Sequence, residues 1–176
     1  MIWRRLGPLV IAVIVAVAAY DLALIATPRL LMSAAFDRVS AGGVNRFTFA
    51  PLATDTSRAV VRPSPDLAYS ICPFDVADAP LLVDVPPVPA SYWSLSVFDA
   101  RTNVAFVRNN VDSAGGPMRA AVALSGQAVP AGYARVAVDK PRGIALVRIL
   151  VEDRADFAAI DAARRQARCR AGHPLP

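Results

Sequence analysis

Histidine is almost missing from this chain. His173 is the only one, and it sits between glycine and proline near the last residue. A Ser–His–Asp arrangement, a histidine-rich metal site or a histidine general base would all depend on that single side chain, which argues against each of them. No glycine-rich phosphate loop and no dinucleotide fingerprint occurs, so neither a cofactor nor a metal is expected. Lysine and glutamate are equally scarce. Lys140 and Glu152 stand alone, and Arg and Asp supply the rest of the 19 basic and 14 acidic residues. With abundant Ala and Val, that bias reads as the codon usage of a high-GC genome rather than selection for guanidinium chemistry. The net charge is +5, and the arginines are scattered except for a group near the C-terminus. There is no basic stripe, and nucleic acid is not an expected partner.

What the chain does have is a long apolar N-terminal run. Between Leu6 and Ala26 the only charged residue is Asp21. About 20 such residues suffice for a helix to cross a bilayer core at ~1.5 Å per residue. Trp3, Arg4 and Arg5 precede the run and form an aromatic and basic flank suited to a cytoplasmic interface. The reading is a signal-anchor helix over 1–27 with its N-terminus inside. A cleavable signal peptide is the competing reading, since Ala16-Val17-Ala18 offers the small-x-small pattern of a cleavage site. The apolar run continues past it through Leu22, Leu24 and Ile25, which favours a retained anchor. Residues 28–45 read as an amphipathic linker. Pro28 ends or kinks the span, Leu30, Leu31, Ala34, Ala35 and Phe36 recur at helical spacing, and Ala41-Gly42-Gly43 acts as a hinge.

From 46 to 176 the period changes to two, and prolines and glycines punctuate the chain. Short apolar or alternating runs fall at Ala59–Val61, Leu67–Phe74, Leu81–Val85, Trp93–Val97, Val104–Arg108, Ala120–Leu124, Ala134–Val138 and Ile144–Val151. The last is nearly all apolar and predicts a central strand covered on both faces. Seven or eight such strands predict a mainly β domain, an antiparallel sandwich or open barrel. A C-terminal α-helix follows, capped by Asp153 and loaded with Arg164, Arg165 and Arg168 at its end. Cys72 and Cys169 form an even pair, and outside the cytoplasm that favours a disulfide joining a strand to the C-terminal helix. Two separate buried thiols are the alternative.

Two segments interrupt apolar strands with polar groups: Arg62 to Ser70, and Tyr92 to Asn103. If their strands are neighbours, Asp66, Tyr69, Tyr92, Asp99 and Asn103 could converge. Alternatively, Asp99 and Asn103 simply build the turn after the strand. Trp93, with Leu95 and Val97, faces one side of its strand, while Ser94 and Ser96 face the other.

These segments resemble the bacterial domain-of-unknown-function 1254 family. Its first motif reads roughly Asn-Arg-Asp-Thr-Leu-Tyr-Ser, matched in register by Asp66, Tyr69 and Ser70. Ser64, Pro65, Leu67 and Ala68 depart from it, and Pro65 replaces the motif's Arg. A second motif, a Tyr-Tyr/Trp-Ser strand ending in Asp-x-x-Thr-Asn, is matched by Tyr92, Trp93, Ser94, Asp99, Thr102 and Asn103. The likeness runs from Arg58 to Cys169 and includes Gly143–Arg148 and Asp161–Arg165. Longer members of the family carry a second module of the 1214 family on the same chain. The resemblance therefore implies a β-rich domain whose companion of the 1214 family is a separate polypeptide. The expected role is a membrane-anchored domain facing the periplasm from the bacterial inner membrane, which assembles with that companion or binds an envelope ligand. The alternative is a Tyr/Asp-based enzyme, or half of one. The discriminator is whether Asp66, Tyr69, Tyr92 and Asp99 line one pocket.

Overall fold

The computed structural model describes residues 3–58 and 62–172, and of Trp3–Arg5 the backbone only. The run Ala59–Val61, read above as a strand, and His173 lie outside the described residues.

Helix α1 spans Trp3–Val39. Its Ala, Val, Leu and Ile residues offer no internal stop, and an 18-residue window has mean hydropathy 2.7 with none of it buried. Of the two readings of Pro28, an end or a kink, the helix does not end there. The chain continues through it for three further turns, so span and linker share one rod. A proline removes one hydrogen bond from the ladder, and here the following turns are held from outside. Met32 and Phe36, one turn apart, are buried against the β domain. Gly43, at φ 106°, closes the turn after the helix. Asn45 then docks on the β domain: its side-chain amide donates to the Asp75 carbonyl at 3.0 Å and accepts from the Asp75 N–H at 2.9 Å.

The β domain consists of nine strands: β1 (Thr48–Phe49), β2 (Leu67–Asp75), β3 (Leu81–Val85), β4 (Trp93–Phe98), β5 (Val104–Asn109), β6 (Met118–Ala123), β7 (Ala134–Ala137), β8 (Arg142–Leu150) and β9 (Arg168–Ala171). They form a five-stranded sheet ordered β1-β2-β8-β4-β5 and a four-stranded sheet ordered β7-β6-β3-β9. All pairs are antiparallel except β6 with β7. One hydrophobic core joins the inner faces. It takes Ala68, Cys72 and Phe74 from β2, Trp93, Leu95 and Val97 from β4, and Ala145, Val147 and Ile149 from β8. Opposite stand Leu81, Val83 and Val85 from β3 and Met118, Ala120 and Val122 from β6. This is the mainly β sandwich the alternation predicted.

Two expectations are corrected. β8 is central, but its burial alternates: Gly143, Ala145, Val147 and Ile149 are buried, while Ile144, Leu146, Arg148 and Leu150 are only half-buried. The C-terminal helix α2 is shorter than expected, Phe157–Arg164, preceded by a 3-10 turn that Asp153 caps through the Ala155 N–H. Arg168 and Cys169 belong to β9, an edge strand. The disulfide between Cys72 and Cys169, with Cα atoms 6.5 Å apart, therefore joins the two sheets rather than a strand to a helix.

Arg164 holds α2 to the domain. It is 1 % exposed. Its guanidinium donates to the carbonyls of Tyr69 and Ala50, both at 2.8 Å, and to the Asp161 carboxylate at 2.7 Å. Burial pushes the Asp161 carboxyl up, but hydrogen bonds and charge from Arg165 and Arg164 outweigh it and leave the group below its usual range.

Two outcomes are expected. The disulfide closes a sequence separation of 97 residues, and cross-links of that span contribute about 2–5 kcal/mol. The double variant Cys72→Ala/Cys169→Ala should lose stability within that range by urea unfolding under oxidising conditions. Because the folded-state pKa of Asp161 is lowered, its contribution is present above the unfolded value of about 4 and is lost as pH falls through the folded one. Asp161→Asn should lower Tm at pH 7, and the gap to wild type should close as the pH is taken below 4.

Candidate functional site

The sandwich covers only the inner face of the five-stranded sheet, and the strand registers bring a specific set of residues together on the outer one. Tyr69 of β2 is paired with Arg148 of β8, Arg148 with Ser94 of β4, and Ser94 with Asn109 of β5. The next row is Ile71, Leu146, Ser96 and Val107. Beyond Arg148 lie Leu67 and Leu150, with Tyr92 beside them, since the Leu150 N–H donates to the Tyr92 carbonyl at 2.9 Å. The face is thus mostly apolar, with one cation at its centre.

That centre is unsatisfied. Arg148 Nε and Ser94 Oγ are both buried, and neither has a hydrogen-bond partner among the described residues. Such groups cost about 1–3 kcal/mol each when left unpaired. Ser94 and Ser96 are small, so the larger Arg148, Leu146 and Tyr92 side chains stand above them. At the margin, Val104 and Val107 on edge strand β5 are more than half exposed, and Tyr92 is 39 % exposed.

The sequence candidates divide between this face and other places. Tyr69 and Tyr92 belong to it. The Tyr69 hydroxyl accepts from the Ser64 N–H at 3.1 Å, tying the loop before β2 to the sheet. Asp66 is exposed just ahead of β2, and its carbonyl accepts from the Val151 N–H. Trp93 points into the core and is 1 % exposed, so it offers no surface to a partner. Trp93, Leu95 and Val97 do share one side of the strand, and it is the inner one.

Asp99 and Asn103 lie at the far end of β4. From Tyr92 to Asp99 the chain advances seven residues, about 23 Å at the rise of an extended strand. In addition, β8 separates β2 from β4. Asp66, Tyr69, Tyr92 and Asp99 therefore do not share one pocket. The Asp99 carboxylate is consumed by the turn: it accepts from the N–H groups of Arg101 at 2.7 Å and Asn103 at 2.9 Å, and from the Asn103 amide at 2.8 Å. Thr102 adopts φ 65°, a left-handed conformation that a β-branched residue holds only when its surroundings fix it. The motif builds a rigid turn with Ala100 and Arg101 at its tip. Those two residues line a groove of about 330 Å³ between α1 and the β domain.

Sequence reasoning missed Arg148, although a signal was present. It is the only charged residue between Gly143 and Val151, and an ion within a central strand needs a partner or an exit to water. It also missed the cluster on the opposite sheet, where Asp84 receives Tyr133 at 2.8 Å, Arg170 at 2.8 Å and Arg119 at 3.6 Å. Bonding to Asp84, then to Tyr133, holds the Arg170 guanidinium still more firmly protonated than usual. Among the described residues, no three His, Cys, Asp or Glu side chains stand close enough to hold a metal.

With this geometry in place, the chain can be set beside known proteins. The family described as Protein of unknown function (DUF1254) matches residues 44–171, and the chain belongs to it. No curated protein matches the chain. Among solved structures, the VPA0106 protein from Vibrio parahaemolyticus is similar with TM-score 0.62 and 18% identity, over 89% of this chain and 41% of that one. An uncharacterised protein from Burkholderia cenocepacia aligns with TM-score 0.49 and 16% identity, over 76% of this chain and 36% of that one. The chain thus spans less than half the length of either. At such identities the Vibrio protein shows the shared fold alone.

If the Asp99 carboxylate is what holds the turn, Asp99→Ala should cost about 1–3 kcal/mol by removing the acceptor for three donors. Urea unfolding measures the loss. Asp99→Asn, which keeps one acceptor oxygen, should recover part of it.

Proposed function

We propose that this chain is a single-span protein of the bacterial inner membrane whose β domain faces the periplasm and assembles with a companion protein of the 1214 family. The outer face of the five-stranded sheet is the docking surface. The observation that carries this reading is the buried, unpartnered pair of Arg148 Nε and Ser94 Oγ at the centre of a mostly apolar face. A polar group left unpaired within one chain is satisfied when a second surface brings an acceptor, and surrounding apolar side chains then exclude water from the contact. Tyr and Arg at the centre, with exposed Val104 and Val107 at the edge, have the composition of binding surfaces.

The membrane reading is supported by the unburied apolar length of α1 and by Arg4 and Arg5 before it. The periplasmic side is supported by the Cys72–Cys169 disulfide, which persists in an oxidising compartment. The companion is supported by the family resemblance of the two motifs.

The test is co-purification. The full chain is co-expressed with a 1214-family protein from the same genome, and the pair is captured from detergent-solubilised membranes. Val107→Asp, on an exposed edge position, and Arg148→Met, which keeps the apolar stem, should each reduce capture at least roughly tenfold, the effect of ~1.4 kcal/mol. Arg148→Met should meanwhile keep or raise Tm, because it removes an unpaired buried donor. Wild-type capture by both variants, or no capture by the wild type, overturns the proposal.

A further inference from the structure

The groove between α1 and the β domain has a chemistry of its own. Its helix wall is one face of α1, with Arg29, Met32, Ser33, Phe36 and Asp37 at the spacing of successive turns. Its other wall is made by two loops at the same end of the sandwich: Ala100 and Arg101 from the Asp99–Asn103 turn, and Lys140–Gly143 leading into β8. Four cations therefore face the groove, Arg29, Arg101, Lys140 and Arg142, against one carboxylate, Asp37. Arg142 is committed elsewhere, bonded to Asp75 at 3.0 Å and stacked over the Phe36 ring at 5.6 Å. Arg101 and Lys140 make no ion pair among the described residues.

Position along the helix decides what this chemistry meets. The apolar run ends at Ala26, and Arg29 follows three residues later, about 4–5 Å further along the axis. The headgroup layer extends about 5–8 Å beyond the hydrocarbon on each side. A groove that starts at Arg29 opens at that layer. Its floor of Met32, Phe36 and Pro141 is apolar, and its rim is cationic.

We infer that this groove holds an anionic phospholipid of the membrane that α1 crosses, with the lipid phosphate bound by Arg29, Arg101 and Lys140. Arginine forks and a lysine ammonium are the side chains that bind phosphate oxygens, and basic residues beside a span attract anionic lipid. Glycerol and the first acyl carbons lie on Met32 and Phe36. The family's Asp-x-x-Thr-Asn turn then acquires a task, because its rigidity aims Arg101 at the headgroup. The inference rests on the reading of α1 as a membrane span.

The experiment uses the full chain purified in dodecyl maltoside, with Tm followed by tryptophan fluorescence while lipid is added to the micelles. Phosphatidylglycerol should raise Tm saturably, and phosphatidylcholine should not. Arg101→Gln/Lys140→Gln, both on exposed positions, should keep the lipid-free Tm. It should require roughly tenfold more phosphatidylglycerol or above for the same shift, as expected from two lost cation–phosphate contacts. Equal response to phosphatidylcholine overturns the inference, and so does an unweakened response of the variant. Inorganic phosphate reproducing the full shift overturns a lipid as the occupant. An alkaline carbonate wash of membranes separates the two levels. Release of the wild type overturns the span and this inference together. Retention in the pellet without a phosphatidylglycerol shift overturns the lipid site alone.

Discussion

The arrangement of this domain depends on the pairing of β8 with two neighbours at once. β2 and β4 flank it over nearly its whole length, so Ala145, Val147 and Ile149 must face the same way as Cys72, Leu95 and Val97. Side chains alternate across a strand, and a slip of one residue would exchange Val147 with Arg148 and bring the guanidinium into the core. That penalty fixes the register from the centre of the sheet outward. It sets Cys72 inward toward β9, where Cys169 can reach it. By the same alternation it sets Tyr69, Arg148 and Ser94 in one row on the outside.

The attachment of the helix follows from the same end of β8. Arg142 opens that strand, bonds Asp75 of β2 across the pair and stacks on Phe36 of α1. Asn45 bonds the backbone of Asp75 from the linker. Three segments therefore converge on one strand end, and the helix leaves the domain at a fixed place. Gly143 contributes by having no side chain: a Cβ there would come within 2.5 Å of the Phe74 ring and closer still to the Phe98 carbonyl. That close approach seats the Phe74 ring and the Phe98 carbonyl against the start of β8.

Much of the fold was legible in the sequence because burial writes itself as period. Seven strands stand where apolar alternation placed them, and the N-terminal helix covers the long apolar run in which Asp21 is the only charged residue. What escaped has physical reasons. β1 is two residues long, too short to show a period. β9 carries Arg168 and Arg170 around Cys169, so it continued the charge pattern of the preceding helix, although it is held by pairing with β3. Pro28 left open whether the helix ends or only bends there, and the burial of Met32 and Phe36 holds the helix beyond it. The candidate site was less legible. Sequence order put Tyr92 and Asp99 in one motif, but an extended strand separates its ends, and only pairing with β8 shows which residues share a face.

Arg148 and Arg164 show what separates a structural arginine from one that awaits a partner. Both came from the same motif-rich part of the chain, and neither is freely exposed. Arg164 is taken fully out of water, and the chain itself supplies what it needs: two carbonyls, the Asp161 carboxylate, and the rings of Phe49 and Phe157. Its cost of burial is met within the fold, and its consequence is the docking of α2. Arg148 is half-buried, with Nε shielded and without a hydrogen-bond partner among the described residues. A leucine or valine at that position would fit the strand at least as well by propensity. Folding of the sandwich therefore gives no reason for a guanidinium at the centre of that face. An acceptor supplied by a second surface would, and this is why the proposed docking is placed on the outer sheet face rather than on either motif by itself.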